Sequence, residues 1–193
     1  MKLSRGIRGV IALMSRAPAD DFPKFFGAPK PAFQNSLAAI GGSVLLIMIA
    51  ARAIIMLRHK IIDDPSATTH VPALQIGMTA FFYLLAFTLI AFMLSVIFDR
   101  REAFLRWTAV RHWLVFFALV PLTLLLVLAK VGVLPIMLAN AALFIVFIGC
   151  LFADIRLAYK LGEMGIISAI FAACMVHAMG LSIILTAVVQ MIP

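Results

Sequence analysis

Five long apolar segments alternate with short polar segments along this chain. Each apolar segment is a continuous run of about 20 residues, whereas the strands of a membrane barrel alternate apolar and polar positions over about 10 residues. A helix rises about 1.5 Å per residue, so each run is long enough to cross a hydrocarbon core about 30 Å thick. The pattern therefore predicts an all-α polytopic membrane protein with five transmembrane helices, at residues 36–57, 76–98, 112–129, 133–153 and 165–190.

The amino-acid composition supports this fold class. Of the 193 residues, 65% are hydrophobic and 12% are charged, and the mean hydropathy is +1.15. Soluble domains contain about half apolar and roughly a quarter charged residues, so this chain has too few polar residues to cover five buried helices in water. The net charge of +8 belongs to residues that flank the apolar runs, which argues against nucleic acid as a partner.

The distribution of lysine and arginine predicts the orientation in the membrane. Twelve of the 16 Lys and Arg residues fall in the N-terminal segment and in the loops after the second and fourth spans. Short loops rich in Lys and Arg remain in the cytoplasm. We therefore expect a protein of the bacterial inner (plasma) membrane with a cytoplasmic N-terminus and an external C-terminus. Residues 1–35 would form a cytoplasmic or interfacial segment, and residues 36–193 the five-helix transmembrane domain.

The beginning of the chain has the pattern of an amphipathic helix. On a helix, one face would carry the apolar side chains Leu3, Ile7, Val10, Ile11 and Met14. Such a basic helix lies in the membrane interface, held by apolar burial and by anionic lipid headgroups. The alternative is a frayed basic tail that only enforces the topology. The apolar run at residues 9–14 is too short for a secretory signal.

Two groups of charged residues are candidates for binding at the cytoplasmic face. The first is a basic surface for a protein partner or lipid headgroups, composed of Arg5, Arg8, Arg100, Arg101, Arg106 and Arg111. The second lies at the end of the fourth span and comprises Asp154, Arg156, Lys160 and Glu163. We expect this second group to be a solvated cap on the helix ends, with a docking surface as the alternative.

Three polar residues inside the spans are candidates for intramembrane chemistry. His177 lies near the middle of the fifth span, where a histidine can relay protons or bind a cation. No second ionisable residue is expected at its depth, which favours a neutral imidazole that bonds a neighbouring helix. Asn140 is expected to make an interhelical hydrogen bond. Arg52 is expected to extend to the outer headgroups, with an ion pair to Asp63 or Asp64 as the alternative.

The remaining features predict packing rather than catalysis. Small residues at Ala38 and Gly42 and at residues 168–173 would let helices approach closely, and Pro121 should kink the third span. Cys150 and Cys174 lie at depths too different for a disulfide. The sequence has no nucleophile elbow, phosphate-binding loop, dinucleotide turn or metal-ligand spacing. We therefore expect no enzyme, no catalytic residue, no cofactor and no metal.

Several sequence features together resemble a known family. They are residues 7–13 (IRGVIAL), Phe26 and Phe33 ahead of Ser36, residues 104–107 (FLRW) leading to His112 and Trp113, and residues 154–162 (DIRLAYKLG) followed by 168–170 (SAI). With five spans, this pattern resembles the bacterial branch of the Yip (Ypt-interacting protein) family. The resemblance implies the five-span architecture. Eukaryotic members associate with Rab-type GTPases, which bacteria lack, so it implies no catalytic residues and no particular pathway.

These observations lead to one functional hypothesis and two alternatives. The hypothesis is a non-enzymatic scaffold or partner-binding subunit in the membrane. The first alternative is a small oligomeric transporter or channel component, with His177 and the Pro121 kink lining a path. The second alternative is a lipid-modifying or lipid-handling protein, although no nucleophile or metal site is visible in the sequence.

Overall fold

The computed structural model describes residues 3–62 and 73–191, and these ranges are helical, with no strand. They contain seven α-helices: α1 Leu3–Met14, α2 Phe22–Phe26, α3 Pro29–Ile62, α4 Ala73–Ile97, α5 Arg101–Lys130, α6 Ile136–Lys160 and α7 Ile166–Met191. A single turn of 3-10 helix, Ala19–Asp21, precedes α2. The predicted pairing of Arg52 with Asp63 or Asp64 involves carboxylates that lie outside the described residues.

Five of these helices are long and apolar enough to cross a membrane. Their qualifying segments are Pro29–Leu57, Ala73–Ile97, Ala103–Lys130, Ile136–Lys160 and Ile166–Ile183. Large apolar side chains such as Leu45, Phe144 and Ile167 are exposed on the outside of the bundle, where a soluble protein would carry polar residues. The predicted all-α fold with five such helices is confirmed.

The boundary of the third long helix differs from the prediction. Helix α5 begins at Arg101 rather than at residue 112, and the chain turns at Asp99, whose φ of 52° is a left-handed conformation that Asp tolerates. Most of the predicted basic loop between the second and third spans is therefore helical. Arginine is compatible with a helix that extends beyond its apolar part. Helix α5 also continues through Pro121.

The five long helices form a ring, and α4 and α5 also contact each other across it. The order around the ring is α3, α4, α7, α6 and α5, and α5 packs most extensively on α3. Two glycines mark close approaches between helices. A Cβ atom at Gly42 would lie 2.6 Å from the Phe116 ring, and one at Gly180 would overlap the Tyr83 ring. The predicted small-residue packing therefore occurs within the fold, where Ala169, Ala172 and Ala173 are also fully buried.

The N-terminal helices cover one end of this ring. Helix α1 contacts α2, α5 and α6, and Leu13 and Phe22 are fully buried between them. Gly9 makes the contact with α2 possible, because a Cβ atom there would lie 2.7 Å from both Phe25 and Phe26. Helices α1 and α2 therefore belong to the same apolar core as the long helices at this end of the bundle.

Candidate functional site

A buried ion pair joins α5 to α6 inside the bundle. Arg111 donates from Nε to both carboxylate oxygens of Asp154, at 2.8 and 3.1 Å. The two side chains are 2% and 1% exposed. Arg111 lies ten residues into α5, which is roughly 15 Å along the helix axis. A pair this deep needs good geometry because removing two charges from water costs several kcal/mol per ion.

Aromatic groups enclose the arginine of this pair. The guanidinium carbon of Arg111 lies 3.6 Å from the centre of the Phe87 ring, a cation–π geometry. The Tyr83 side chain of α4 lies near both Arg111 and Asp154. Nη1 of Arg111 is buried and has no hydrogen-bond partner within the described structure. The guanidinium is therefore held by one carboxylate and one aromatic face.

His177 extends this pair to α7. Its Nδ1 lies 3.7 Å from Oδ2 of Asp154 and 3.0 Å from the Ala173 carbonyl, which accepts a hydrogen bond when Nδ1 carries the proton. The Phe147 ring of α6 contacts the imidazole edge-on, with 5.5 Å between the ring centroids. The expectation that no ionisable residue shares the depth of His177 is wrong, because Asp154 reaches it from the neighbouring helix.

A second buried histidine, His112 of α5, bonds residues of α3 and α4. Nδ1 of His112 lies 2.9 Å from the Ser36 hydroxyl of α3, and Nε2 lies 3.1 Å from the Thr88 hydroxyl of α4. Both imidazole nitrogens are thereby satisfied by hydroxyl groups that can donate or accept. Because His112 directly follows Arg111 on α5, the two histidine-centred groups are adjacent. We call Ser36, Tyr83, Thr88, Arg111, His112, Asp154 and His177 together the buried polar cluster.

The buried polar cluster contains residues from all five long helices. Each of its hydrogen bonds and ion pairs between side chains links two different helices, so the cluster opposes sliding or rotation of one helix past another. Its carboxylate, imidazole and guanidinium groups can also hold a proton or an anion. The sequence reasoning missed Arg111, His112 and Asp154 as buried residues. The available signal was that Asp154 directly follows the predicted fourth span, six residues before α6 ends at Lys160.

The predicted basic surface is only partly a surface. Arg5 and Arg8 are exposed on α1. Arg100 lies 3.8 Å from Glu163, and Arg106 donates to the other oxygen of that carboxylate. Arg111 does not belong to this surface, since it is buried against Asp154, and that part of the prediction is wrong. The side chain of Arg101 lies outside the described residues.

The charged residues at the end of α6 hold the N-terminal helix in place. Arg156 donates to the carbonyl of Ser15. Lys160 donates from Nζ to the carbonyl of Leu13, at 2.9 Å. Both carbonyls lie at the C-terminal end of α1, where the last C=O groups have no partner within the helix. The predicted solvated cap is therefore wrong for Asp154, which is buried, and incomplete for the two cations.

The other intramembrane candidates lie on the outside of the bundle. Asn140 and Arg52 are both exposed, and neither makes a side-chain hydrogen bond or an ion pair within the described ranges. The expected interhelical bond of Asn140 is therefore not formed in this structure. Cys150 and Cys174 are free thiols, as the depth argument predicted. In residues 3–62 and 73–191, no group of three His, Cys, Asp or Glu side chains could hold a metal ion.

Comparisons with family models, with curated proteins and with solved structures gave no match to this chain.

Proposed function

We propose that the chain is a non-enzymatic membrane protein of the bacterial inner membrane that acts as a scaffold or partner-binding subunit. One observation carries the proposal: the N-terminal segment is folded onto the ends of α5 and α6 instead of hanging free. Two side-chain bonds from α6 and the burial of Leu13 and Phe22 hold it there. A structured platform at one end of the bundle, with exposed cations on it, is suited to binding a partner.

Helix α1 would lie in the membrane interface at the edge of this platform. Its exposed surface has two sectors, one apolar with Ile7 and Ile11 and one cationic with Arg5 and Arg8. The third sector, which includes Val10 and Leu13, is buried on the bundle. Exposed apolar and cationic sectors on one helix are typical of helices that lie at the boundary between lipid chains and headgroups.

We also propose an orientation in the membrane and a family for this chain. The excess of Lys and Arg at the α1 end of the bundle supports a cytoplasmic N-terminus and an external C-terminus. The five-helix arrangement is compatible with the Yip family, and the resemblance at residues 7–13, 104–107 and 154–162 supports that assignment. The compact buried polar cluster also supports a scaffold, because its charges are matched within the bundle.

Partner capture tests this proposal. The full chain is crosslinked in cells, purified in mild detergent and analysed by mass spectrometry. We expect a stoichiometric partner that is lost in Arg100→Ala/Arg106→Ala. It should be retained in Arg52→Ala, which removes an exposed arginine from α3 far from the platform. Equal recovery from both variants, with unchanged accessibility of the two termini, would exclude the platform as the binding surface.

A transporter or channel component is the second candidate. The contact between His177 and Asp154 favours it, because a carboxylate beside an imidazole within a membrane is the arrangement of proton relays. Five spans without an internal repeat would then require an oligomer. Reconstituted protein should show a pH-dependent flux that His177→Ala abolishes. A flux with the same pH dependence in His177→Ala would exclude this role.

A further inference from the structure

We propose that the groove between α1 and α2 is a binding site for the phosphate group of an anionic phospholipid. The groove has a volume of about 510 Å³ and is lined by Ser4, Arg5, Arg8, Lys24 and Phe25. Small-molecule sites typically have volumes of about 300–1,000 Å³. The inference rests on the proposed interfacial position of α1 and names the ligand of that helix.

The groove exists because α1 and α2 approach each other closely at one point. At Gly9, the backbone of α1 lies against Phe25 and Phe26, and any larger residue there would push α2 away. Arg5 and Arg8 precede Gly9 on α1 about one helical turn apart, so their side chains project over the same side. Lys24 enters the groove from α2. The cations therefore come from two helices that the tertiary fold brings together.

The charges in the groove are largely available for a ligand. Among the described residues, neither Arg5 nor Arg8 forms an ion pair or donates a side-chain hydrogen bond. Lys24 lies 2.6 Å from a carboxylate oxygen of Asp21, and its side chain is still 72% exposed. Guanidinium groups bind phosphate oxygens through two parallel hydrogen bonds, and the Ser4 hydroxyl can add another. The site therefore favours a phosphate over a monovalent, spherical anion.

The surroundings of the groove favour a lipid over a soluble phosphate. Ile7 and Ile11, which are 38% and 61% exposed, lie on the same helix beside the cationic sector. Val10 and Leu13 of the same helix are already buried on the bundle. Lys160 and Arg156 bond the end of α1 there, so both isoleucines remain on its outer side. Acyl chains would cover both isoleucines while the headgroup phosphate lies among the arginines.

Lipid binding by the purified full chain tests the inference without any protein partner. The chain is kept in a neutral detergent, and native mass spectrometry measures bound phosphatidylglycerol, phosphatidylcholine with the same acyl chains, and inorganic phosphate. We expect phosphatidylglycerol to bind most tightly. Each cation near an anionic surface contributes a factor of about five, so Arg5→Gln/Arg8→Gln should bind roughly 25-fold more weakly. Higher salt should also weaken binding, since the groove is exposed.

Arg16→Gln is the matched control, because Arg16 is an exposed arginine two residues beyond α1 that does not line the groove. It should bind phosphatidylglycerol within about twofold of the unmodified chain. An equal loss in Arg16→Gln would overturn the inference in favour of diffuse charge. Equal displacement by inorganic phosphate would overturn the assignment to a lipid and leave a soluble anion as the ligand.

The variants themselves should fold, since neither Arg5 nor Arg8 bonds to another part of the chain, and an unchanged unfolding transition verifies this. Partner capture with Arg100→Ala/Arg106→Ala leaves the groove intact, so the two tests can fail independently. If Arg100→Ala/Arg106→Ala loses the partner and still binds phosphatidylglycerol, both proposals are supported. If that variant retains the partner, the platform is refuted as the binding surface. If the unmodified chain binds no lipid, the lipid site is refuted.

Discussion

Replacing Asp154 by leucine should destabilise the bundle more than any other change in the buried polar cluster. Asp154→Leu removes both acceptors of the Arg111 Nε–H, at 2.8 and 3.1 Å, from a guanidinium that is 2% exposed. An arginine cannot release its proton, so the charge stays buried without a counter-charge. Breaking such a pair costs about 3–5 kcal/mol of unfolding free energy.

Replacing the arginine of the pair should reduce the unfolding free energy by less. Arg111→Met leaves a carboxyl group that can take up a proton and then accept and donate as a neutral group beside His177. We expect a loss of about 1–3 kcal/mol, which is the cost of an incompletely satisfied buried polar group. In the double variant Arg111→Met/Asp154→Leu, two apolar side chains of similar size replace the pair, and such replacements are often neutral. The double variant should therefore be more stable than Asp154→Leu alone.

A double-mutant cycle on the purified protein measures this coupling. Unfolding is followed by circular dichroism as sodium dodecyl sulfate is titrated into mild-detergent micelles, and the coupling energy should be at least about 2 kcal/mol. Arg52→Met is the control for loss of an exposed arginine, with an expected change within about 0.5 kcal/mol. If the two single losses simply add in the double variant, Arg111 and Asp154 do not stabilise each other and the buried pair is refuted.

Two further predictions concern contacts between helices. Gly42→Val should destabilise the bundle by about 1–3 kcal/mol, because its side chain would collide with Phe116. Gly41→Val is the matched control, since a Cβ atom there meets nothing within 4 Å, and similar losses at both positions in the same unfolding titration would contradict the close packing of α3 on α5. His112→Leu should cost about 1 kcal/mol, because interhelical hydrogen bonds in membranes average about 0.6 kcal/mol each. Ser36→Ala, which removes one of the two, should cost about half as much, and an equal stability of His112→Leu and the unmodified chain would refute the bond assignment.

The five membrane-length helices were predictable because hydrophobicity is a local property that sums along a continuous segment. The ends of the helices were less predictable, as α5 shows. A helix can extend beyond its apolar part when its charged residues form ion pairs. Arg106 finds Glu163 and Arg111 finds Asp154, and neither pairing is visible in the sequence. The sequence-based prediction treated both arginines as loop residues for this reason.

The buried polar cluster shows why sequence reasoning stops short of a site. His177 was identified as an intramembrane candidate from its position alone, but its neighbour Asp154 is 23 residues away along the chain. Their separation of 3.7 Å depends on the rotation of α6 against α7. That rotation follows from the packing of many small and apolar side chains, which no local pattern specifies. The burial of His112 depends in the same way on α3, α4 and α5 meeting at one level.

By itself, the sequence determined that the protein is all-helical, that five of its helices can cross a membrane, and that its cations lie mainly toward one end. Each of these follows from residue type and spacing, because apolar length and charge act through the solvent and not through particular partners. Only the tertiary structure decided which charges are neutralised inside the bundle and which remain on its surface. That decision depends on which helices are neighbours and on how each is turned, so Arg111 is buried in an ion pair while Arg5 and Arg8 remain exposed.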